Sequence, residues 1–202
     1  MFSTFHNTAI GAAALALAAG FAAPAQAGYT VTLTQRGNNV VATGSGPIDL
    51  TGLSLIFGIH THAFIFPSAG AIFTGLITGA PPLDDYTTIT GPTSFGSGRG
   101  TLADSSSGDI VGVEAQDAPP DIFVPHGYVS DAPLSGTSFY AGQTFAGLGV
   151  TPGTFEWTWG TGVNQNFTLD ISTAPPPVPE PASLTLLAMG LAGLGVALRP
   201  RA

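Results

Sequence analysis

Apolar and polar residues alternate along many short stretches of this chain, and a period of two is the pattern of a β-strand with one buried face. The stretch 29–35, for example, alternates Tyr29, Val31 and Leu33 with polar residues. Glycine and proline interrupt such stretches, and the 202 residues include 28 glycines and 17 prolines, which disfavour helices. The pattern predicts an all-β protein, a single antiparallel β-sandwich or jelly-roll-like domain over residues 28–174.

Two hairpins are the best-defined elements of this prediction. The first joins residues 29–35 to residues 40–43, and the last joins a strand through Trp157 to residues 166–171. Further strands are predicted at residues 48–57 (with a β-bulge at Gly52), 59–66, 71–78, 86–90, 110–115, 122–129 and 139–145. Long surface loops are predicted at residues 79–85 and 91–108.

The composition excludes several classes of protein. The chain has no cysteine, which removes disulfide frameworks and thiol nucleophiles. Its four basic residues are too few for the phosphate contacts of a nucleic-acid-binding protein. No serine lies in a Gly-x-Ser-x-Gly motif, and there is no His-Glu-x-x-His motif. We therefore expect no nucleic-acid partner, no cofactor and no catalytic site.

The N-terminal residues 1–27 have the order of a secretory signal peptide. An apolar, alanine-rich run covers residues 9–23, and Ala25 and Ala27 are the small residues that signal peptidase requires. Cleavage after Ala27 makes Gly28 the first residue of the mature protein. The alternative is an alanine-rich helix that is buried in the folded body.

Three segments follow one another at the C-terminus. Residues 175–181 form a spacer that stays extended, because proline fixes φ and lacks a backbone donor. The apolar run 182–198 would be about 25 Å long as a helix, close to the ~30 Å hydrocarbon core of a bilayer. The short tail 199–202 contains Arg199 and Arg201, which favour a cytoplasmic C-terminus. We therefore predict a transmembrane helix with a basic tail.

This order of C-terminal features resembles the PEP-CTERM sorting signal of Gram-negative bacteria. The residues that carry the resemblance are Val178, Pro179, Glu180 and Pro181, then the apolar run, then Arg199 and Arg201. The resemblance implies recognition by an exosortase, temporary anchoring in the inner membrane, cleavage near Pro-Glu-Pro, and transfer of the body to the cell surface or extracellular matrix. The alternative is an ordinary C-terminal membrane anchor.

Two groups of residues could supply metal ligands. On a continuous strand, His60 and His62 would share one face about 6–7 Å apart, and His126 could add a third ligand for a transition metal. Calcium prefers carboxylates on loops. A group of acidic residues lies close together in the sequence: Asp104, Asp109, Glu114, Asp117 and Asp121. For both groups the pattern favours the simpler interpretation of a solvated surface, so no metal site is expected.

Aromatic side chains near the C-terminal end of the body could stack against a sugar ring. The residues concerned are Tyr140, Phe155, Trp157 and Trp159. The alternation places Phe155 and both tryptophans on one face, which favours packing in the core. A sugar platform becomes the better interpretation if Glu156 faces water beside a tyrosine.

The sequence predicts an exported, non-catalytic protein, and the resemblance implies a place at the cell surface or in the extracellular matrix, associated with biofilm exopolysaccharide. The expected partners are signal peptidase and exosortase during export, the membrane through the C-terminal helix, and extracellular polysaccharide. Two alternatives remain. A carbohydrate-binding adhesion module requires exposed aromatic side chains on one sheet face. A secreted hydrolase requires a cleft in which carboxylates or histidines converge.

Overall fold

The computed structural model describes residues 28–76, 82–116 and 119–172. These residues form thirteen strands: β1 (Tyr29–Arg36), β2 (Asn39–Gly46), β3 (Ser54–His60), β4 (Phe64–Phe66), β5 (Ala71–Thr74), β6 (Pro82–Thr87), β7 (Thr101–Leu102), β8 (Ser105–Gly108), β9 (Val111–Glu114), β10 (Asp121–Pro125), β11 (Leu134–Tyr140), β12 (Gly153–Thr158) and β13 (Asn166–Ser172). They also form a 3₁₀ turn, Pro67–Ala69, and a one-turn helix α1, Phe145–Leu148.

The first sheet has the strand order β12-β13-β1-β2-β11-β8. Strands β1 and β2 form the predicted N-terminal hairpin, whose turn begins at Gly37 with a positive φ of 61°. On its other side β1 pairs with β13, and Tyr29 lies opposite Phe167. This pair is parallel, whereas the other pairs among the described strands are antiparallel. The antiparallel prediction is therefore wrong at this one pair.

The second sheet has the strand order β3-β6-β10-β9-β5-β4-β7. One hydrophobic core lies between it and the first sheet, because apolar side chains from both form a single buried cluster. Val31 and Leu169 belong to the first sheet, and Ile72 and Val113 belong to the second. The prediction of an all-β domain is confirmed, and its two sheets are antiparallel except at the β1–β13 pair.

A second, smaller apolar cluster lies on the outer face of the second sheet. The ring of Phe73 stacks on Phe64 with centroids 4.9 Å apart and approaches Phe123 at 5.0 Å. Gly112 separates Phe73 from Phe123 in the strand register, and a Cβ at Gly112 would collide with the Phe73 ring. Gly112 therefore allows the two aromatic rings to meet across β9.

The strand predicted at 48–57 is wrong in its first half. Residues 47–53 form a loop, and β3 begins only at Ser54. Gly52 occupies a turn with φ of 87°, and the register of β3 against β6 shifts between Leu55 and Gly58. The alternating pattern is present in 48–57, but a left-handed turn at Gly52 ends the extended conformation there.

Three other predictions need correction. The strand expected at 59–66 is interrupted at residues 61–63, which separate β3 from β4. The loop expected at 79–85 contains the start of β6, where Leu83, Asp84 and Asp85 are buried. The fold places Asp84 and Asp85 on opposite faces of β6, an interior strand of the second sheet. The loop expected at 91–108 contains the short strands β7 and β8.

The predicted terminal segments lie outside the described residues. These are the signal peptide 1–27, the spacer 175–181, the transmembrane helix 182–198 and the tail 199–202. Among the residues that the structure describes, helix α1 has only four residues, and no helix has the length and apolar character needed to cross a membrane.

Candidate functional site

Three loops meet near the start of β13 and enclose an open cavity, which we call the loop pocket. The loops comprise residues 47–53, 126–133 and 159–165. The loop pocket has a volume of about 440 Å³ and is lined by Pro47, Asp49, Asp131, Val163 and Asn164. Main-chain bonds join the loops, since Asp49 N donates to Asn164 O at 3.0 Å and Asp131 N donates to Ile48 O at 2.9 Å.

Asp49 is the main hydrogen-bond acceptor of these loops. Its Oδ1 accepts from Thr51 N at 2.9 Å and from the Ser130 hydroxyl at 3.2 Å. Its Oδ2 accepts from Gln165 Nε2 at 3.1 Å. The hydrogen bonds from Thr51, assisted by those from Ser130 and Gln165, lower the pKa of Asp49. Asp49 is therefore an ionised carboxylate at neutral pH.

Asp131 and Asn164 also line the loop pocket. Both have positive φ, 64° and 62°, a conformation that aspartate and asparagine adopt more readily than most residues. Asn164 Nδ2 donates to Asp131 Oδ1 at 2.8 Å. The Asn164 side chain is only 5% exposed, and its Oδ1 has no hydrogen-bond partner. Asn164, a lining residue of the loop pocket, therefore keeps a buried amide oxygen without a donor.

Two aromatic side chains fix the geometry of these loops. The Tyr128 hydroxyl accepts from Ile48 N at 3.0 Å and donates to Ala132 O at 2.7 Å. Trp159 Nε1 donates to Asp49 O at 2.7 Å. Because these bonds hold the backbone on both sides of Asp49, its carboxylate is positioned by the fold.

Sequence reasoning did not identify the loop pocket. Its residues come from three distant parts of the chain, and none of them belongs to a metal-binding or catalytic motif. A local signal was present at Asp49, because aspartate favours an Asx turn, in which its side chain accepts a hydrogen bond from the backbone N–H two residues later. Thr51 N donates this hydrogen bond in the structure. That signal indicates a turn and does not reveal which other loops meet it.

The structure does not place His60 and His62 as a metal site on one strand would require. His60 ends β3, whereas His62 lies in the break between β3 and β4, so the two no longer alternate on one strand. His126 Nδ1 lies 2.7 Å from Asp84 Oδ1, and Gly127 N donates to Asp84 Oδ2 at 2.9 Å. Burial opposes ionisation of Asp84, but the bonds from His126 and Gly127 outweigh it and lower the Asp84 pKa.

The acidic residues that are close in sequence do not form one loop. Asp104 Oδ2 accepts from Ala141 N at 2.7 Å and Asp109 Oδ2 accepts from Ser135 N at 2.9 Å, so each fastens a separate loop to β11 or its end. Glu114 and Asp121 face each other on β9 and β10. Asp117 lies outside the described residues.

A buried carboxylate, Asp85, lies close to Glu114 and Asp121 on the outer face of the second sheet. Asp85 is opposite Phe123, and Asp121 is two residues from Phe123 on the same strand. Burial raises the pKa of Asp85 to about 6, and the negative charges of Asp121 and Glu114 contribute to the same increase. Among the described residues, no group of three or more His, Cys, Asp or Glu side chains could hold a metal ion.

The aromatic residues do not form the platform considered above. Trp157 is fully buried, and its Nε1 donates to Pro92 O at 3.0 Å. Tyr140 is also buried, whereas Phe155 and Trp159 are partly buried against the core. Glu156 is exposed and accepts from Asn166 Nδ2 at 3.0 Å. The prediction of core packing is confirmed most clearly for Trp157.

The sorting and cleavage residues lie almost wholly outside the described part. These are Ala25, Ala27, Val178, Pro179, Glu180, Pro181, Arg199 and Arg201. Gly28 is described and is buried, and its N donates to Asn166 Oδ1 at 2.8 Å. The residue expected to follow the signal peptide is therefore held at the start of β13.

The described residues define an all-β, two-sheet body with a polar loop pocket at one end. The C-terminal segment then identifies the sorting class, because residues 177–202 match the family model of the PEP-CTERM protein-sorting motif. The chain carries this motif, as its resemblance implied, and the motif supports an exported protein that is sorted by an exosortase. No curated protein and no solved structure matches the chain significantly.

Proposed function

We propose that the chain is a non-catalytic protein of the cell surface or the extracellular matrix, associated with biofilm exopolysaccharide. The observation that carries this proposal is the PEP-CTERM protein-sorting motif at residues 177–202. The signal peptide 1–27 starts export, and the helix 182–198 holds the precursor in the inner membrane. Exosortase then acts near Pro179, and the β-rich body reaches its final place outside the cell.

The compact body supports a role in which the protein is displayed and does not act on a substrate. The Trp157 side chain is fully buried, and the two sheets share one core. Asp84 and His126 form a close pair. No serine, threonine or cysteine that the described residues contain has a hydrogen bond to His126 that would mark a nucleophile. These features favour a structural or interaction role.

A carbohydrate-binding adhesion module is the second candidate, and Trp159 favours it. This side chain is partly exposed, and its indole nitrogen donates to Asp49 O at the loop pocket. An aromatic face beside polar side chains such as Gln165 suits a sugar ring. Trp157 could not contribute, because it is fully buried.

The test of the sorting proposal compares one host that has an exosortase with a matched host that lacks it. Full-length chain is expressed in both, and intact masses are measured in inner-membrane, surface and medium fractions. We expect a surface or medium form that begins at Gly28 and ends near Pro179, only in the first host. Glu180→Gln should retain the chain in the membrane, whereas Asp170→Asn in the body should not.

One outcome would contradict the sorting proposal. The chain would keep Arg199 and Arg201 and stay in the inner membrane of both hosts. Residues 182–198 would then act as an ordinary anchor, and the body would be a periplasmic domain. Binding of the released body to exopolysaccharide in a co-sedimentation assay separates the matrix role from simple secretion, because a merely secreted body would remain in the supernatant.

A further inference from the structure

We propose that the loop pocket binds a calcium ion through Asp49, Asp131 and Asn164. The observation that points to a ligand is the buried amide of Asn164, which is 5% exposed. Its Nδ2 is satisfied by Asp131 at 2.8 Å, but its Oδ1 has no partner. Leaving such an oxygen buried without a donor is unfavourable. A cation beside it supplies the missing interaction.

The charge of the loop pocket selects a cation over an anion. Asp49 and Asp131 bring two carboxylates, and none of the described residues that line the cavity is basic. A positive ion would therefore bind next to two negative groups, whereas a phosphate or sulfate would be repelled by both.

The donor set favours calcium among the common cations. The available ligands are carboxylate and amide oxygens on loops, and the wall contains no histidine or cysteine that would favour zinc or copper. Calcium accepts six to eight oxygens in flexible arrangements, and water can complete the shell in an open cavity of about 440 Å³. Magnesium demands a stricter octahedron and loses its water reluctantly. A weak extracellular site, with a Kd of about 0.1–1 mM, needs no more than these ligands.

The position of Trp159 provides a direct assay. Its indole nitrogen donates to Asp49 O at 2.7 Å, so an ion at the loop pocket lies close to an excitable tryptophan. The full-length chain is purified in detergent and stripped of metal with a chelator. Terbium, a luminescent substitute for calcium, is then titrated with excitation of tryptophan, and calcium is added to displace it. Thermal melts are recorded with and without 10 mM calcium, with magnesium as the comparison ion.

We expect one terbium per chain, displacement by calcium at millimolar concentration, and a melting temperature that calcium raises by roughly 4–7 °C. Asp131→Asn should weaken calcium binding at least about tenfold. Asn164→Gly removes the amide oxygen and tolerates the φ of 62° at this position. It should also weaken binding. Asp170→Asn removes a carboxylate from β13 outside the pocket lining and should leave binding unchanged.

Two results would overturn the proposal. The first is that 10 mM calcium neither displaces terbium nor changes the melting temperature. The loop pocket would then bind no calcium, and the buried oxygen would be satisfied by water alone. Alternatively, binding in Asp131→Asn that equals the unmodified chain would place the ion elsewhere. Circular dichroism of each variant shows whether it is folded, so that a loss of binding can be assigned to the changed residue and not to unfolding. If Asn164→Gly is unfolded, Asp131→Asn decides the question by itself.

Discussion

Replacing Asp85 by asparagine should make the protein more stable at pH 7.5. Asp85 is 4% exposed on β6, an interior strand of the second sheet. Burial, with further contributions from the charges of Asp121 and Glu114, raises its pKa from 3.8 to about 6. At pH 7.5 the folded protein must therefore keep an unfavourable charge in this position. Asparagine has nearly the same shape and carries no charge.

The direction of the pH dependence follows from the raised pKa. Since the folded-state pKa lies above the unfolded value, the contribution of Asp85 to stability is fully present below about pH 4 and is lost as the pH rises through about 6. The difference between 3.8 and about 6 corresponds to about 3 kcal/mol at ~1.4 kcal/mol per pH unit. Solvent screening and local relaxation reduce this, so we expect about 1–2 kcal/mol.

Urea unfolding at pH 4.5 and pH 7.5 measures this effect. The stability advantage of Asp85→Asn over the unmodified chain should be about 1–2 kcal/mol at pH 7.5 and should shrink at pH 4.5. Comparing the two proteins at each pH cancels the titration of the other acidic groups. The control Asp170→Asn removes a partly buried carboxylate from the first sheet, and its effect should be about 0.5 kcal/mol or less.

An Asp85→Asn variant that is less stable than the unmodified chain at pH 7.5 would refute this reasoning. It would show that the Asp85 carboxylate is stabilised by a donor and not penalised by burial. An advantage of the same size at both pH values would also refute it, because the effect would then come from packing and not from charge.

Two further predictions concern the core. Trp157→Ala should lower the free energy of unfolding by about 3–5 kcal/mol, because it empties a fully buried site between Phe95 and Phe167. Trp157→Phe should cost less in the same chemical unfolding experiment. A loss below ~1 kcal/mol for the alanine variant would contradict the buried position. Gly44→Ala should lower the melting temperature, because a Cβ there collides with the Tyr29 phenol. Gly100→Ala is the control and should leave the melting temperature unchanged, because a Cβ there makes only ordinary contact. Equal melting temperatures for the two variants would contradict the close approach of Gly44 to Tyr29.

Local alternation was sufficient to predict the two terminal hairpins of the body. In β13, Phe167, Leu169 and Ile171 are buried and the residues between them are partly exposed, which is the period of two that the sequence shows. The same pattern could not reveal that β13 pairs with β1 in a parallel orientation. That pairing joins residues more than 130 positions apart and depends on the order in which the strands enter the sheet.

Buried polar residues were the main source of error. Residues 79–85 were predicted to form a surface loop, but Asp84 and Asp85 lie on β6, an interior strand, and both are buried. Asp84 obtains two hydrogen bonds near the start of the loop after β10, and Asp85 stays buried with a raised pKa. The loop pocket was missed for a related reason, because Asp49, Asp131 and Asn164 meet only after three separate loops have folded together.

The direction of β13 sets where the loop pocket lies relative to the C-terminal segment. Asn164 and Gln165 immediately precede β13, and Gly28 is bonded to Asn166 at the same end. The chain leaves β13 at Ser172, about 20 Å further along at ~3.3 Å per residue. If the chain is held through its C-terminal segment, as we propose for the precursor, the loop pocket lies at the strand end away from that attachment. A ligand or ion on the outer side of the inner membrane could then reach the pocket before and after exosortase releases the body.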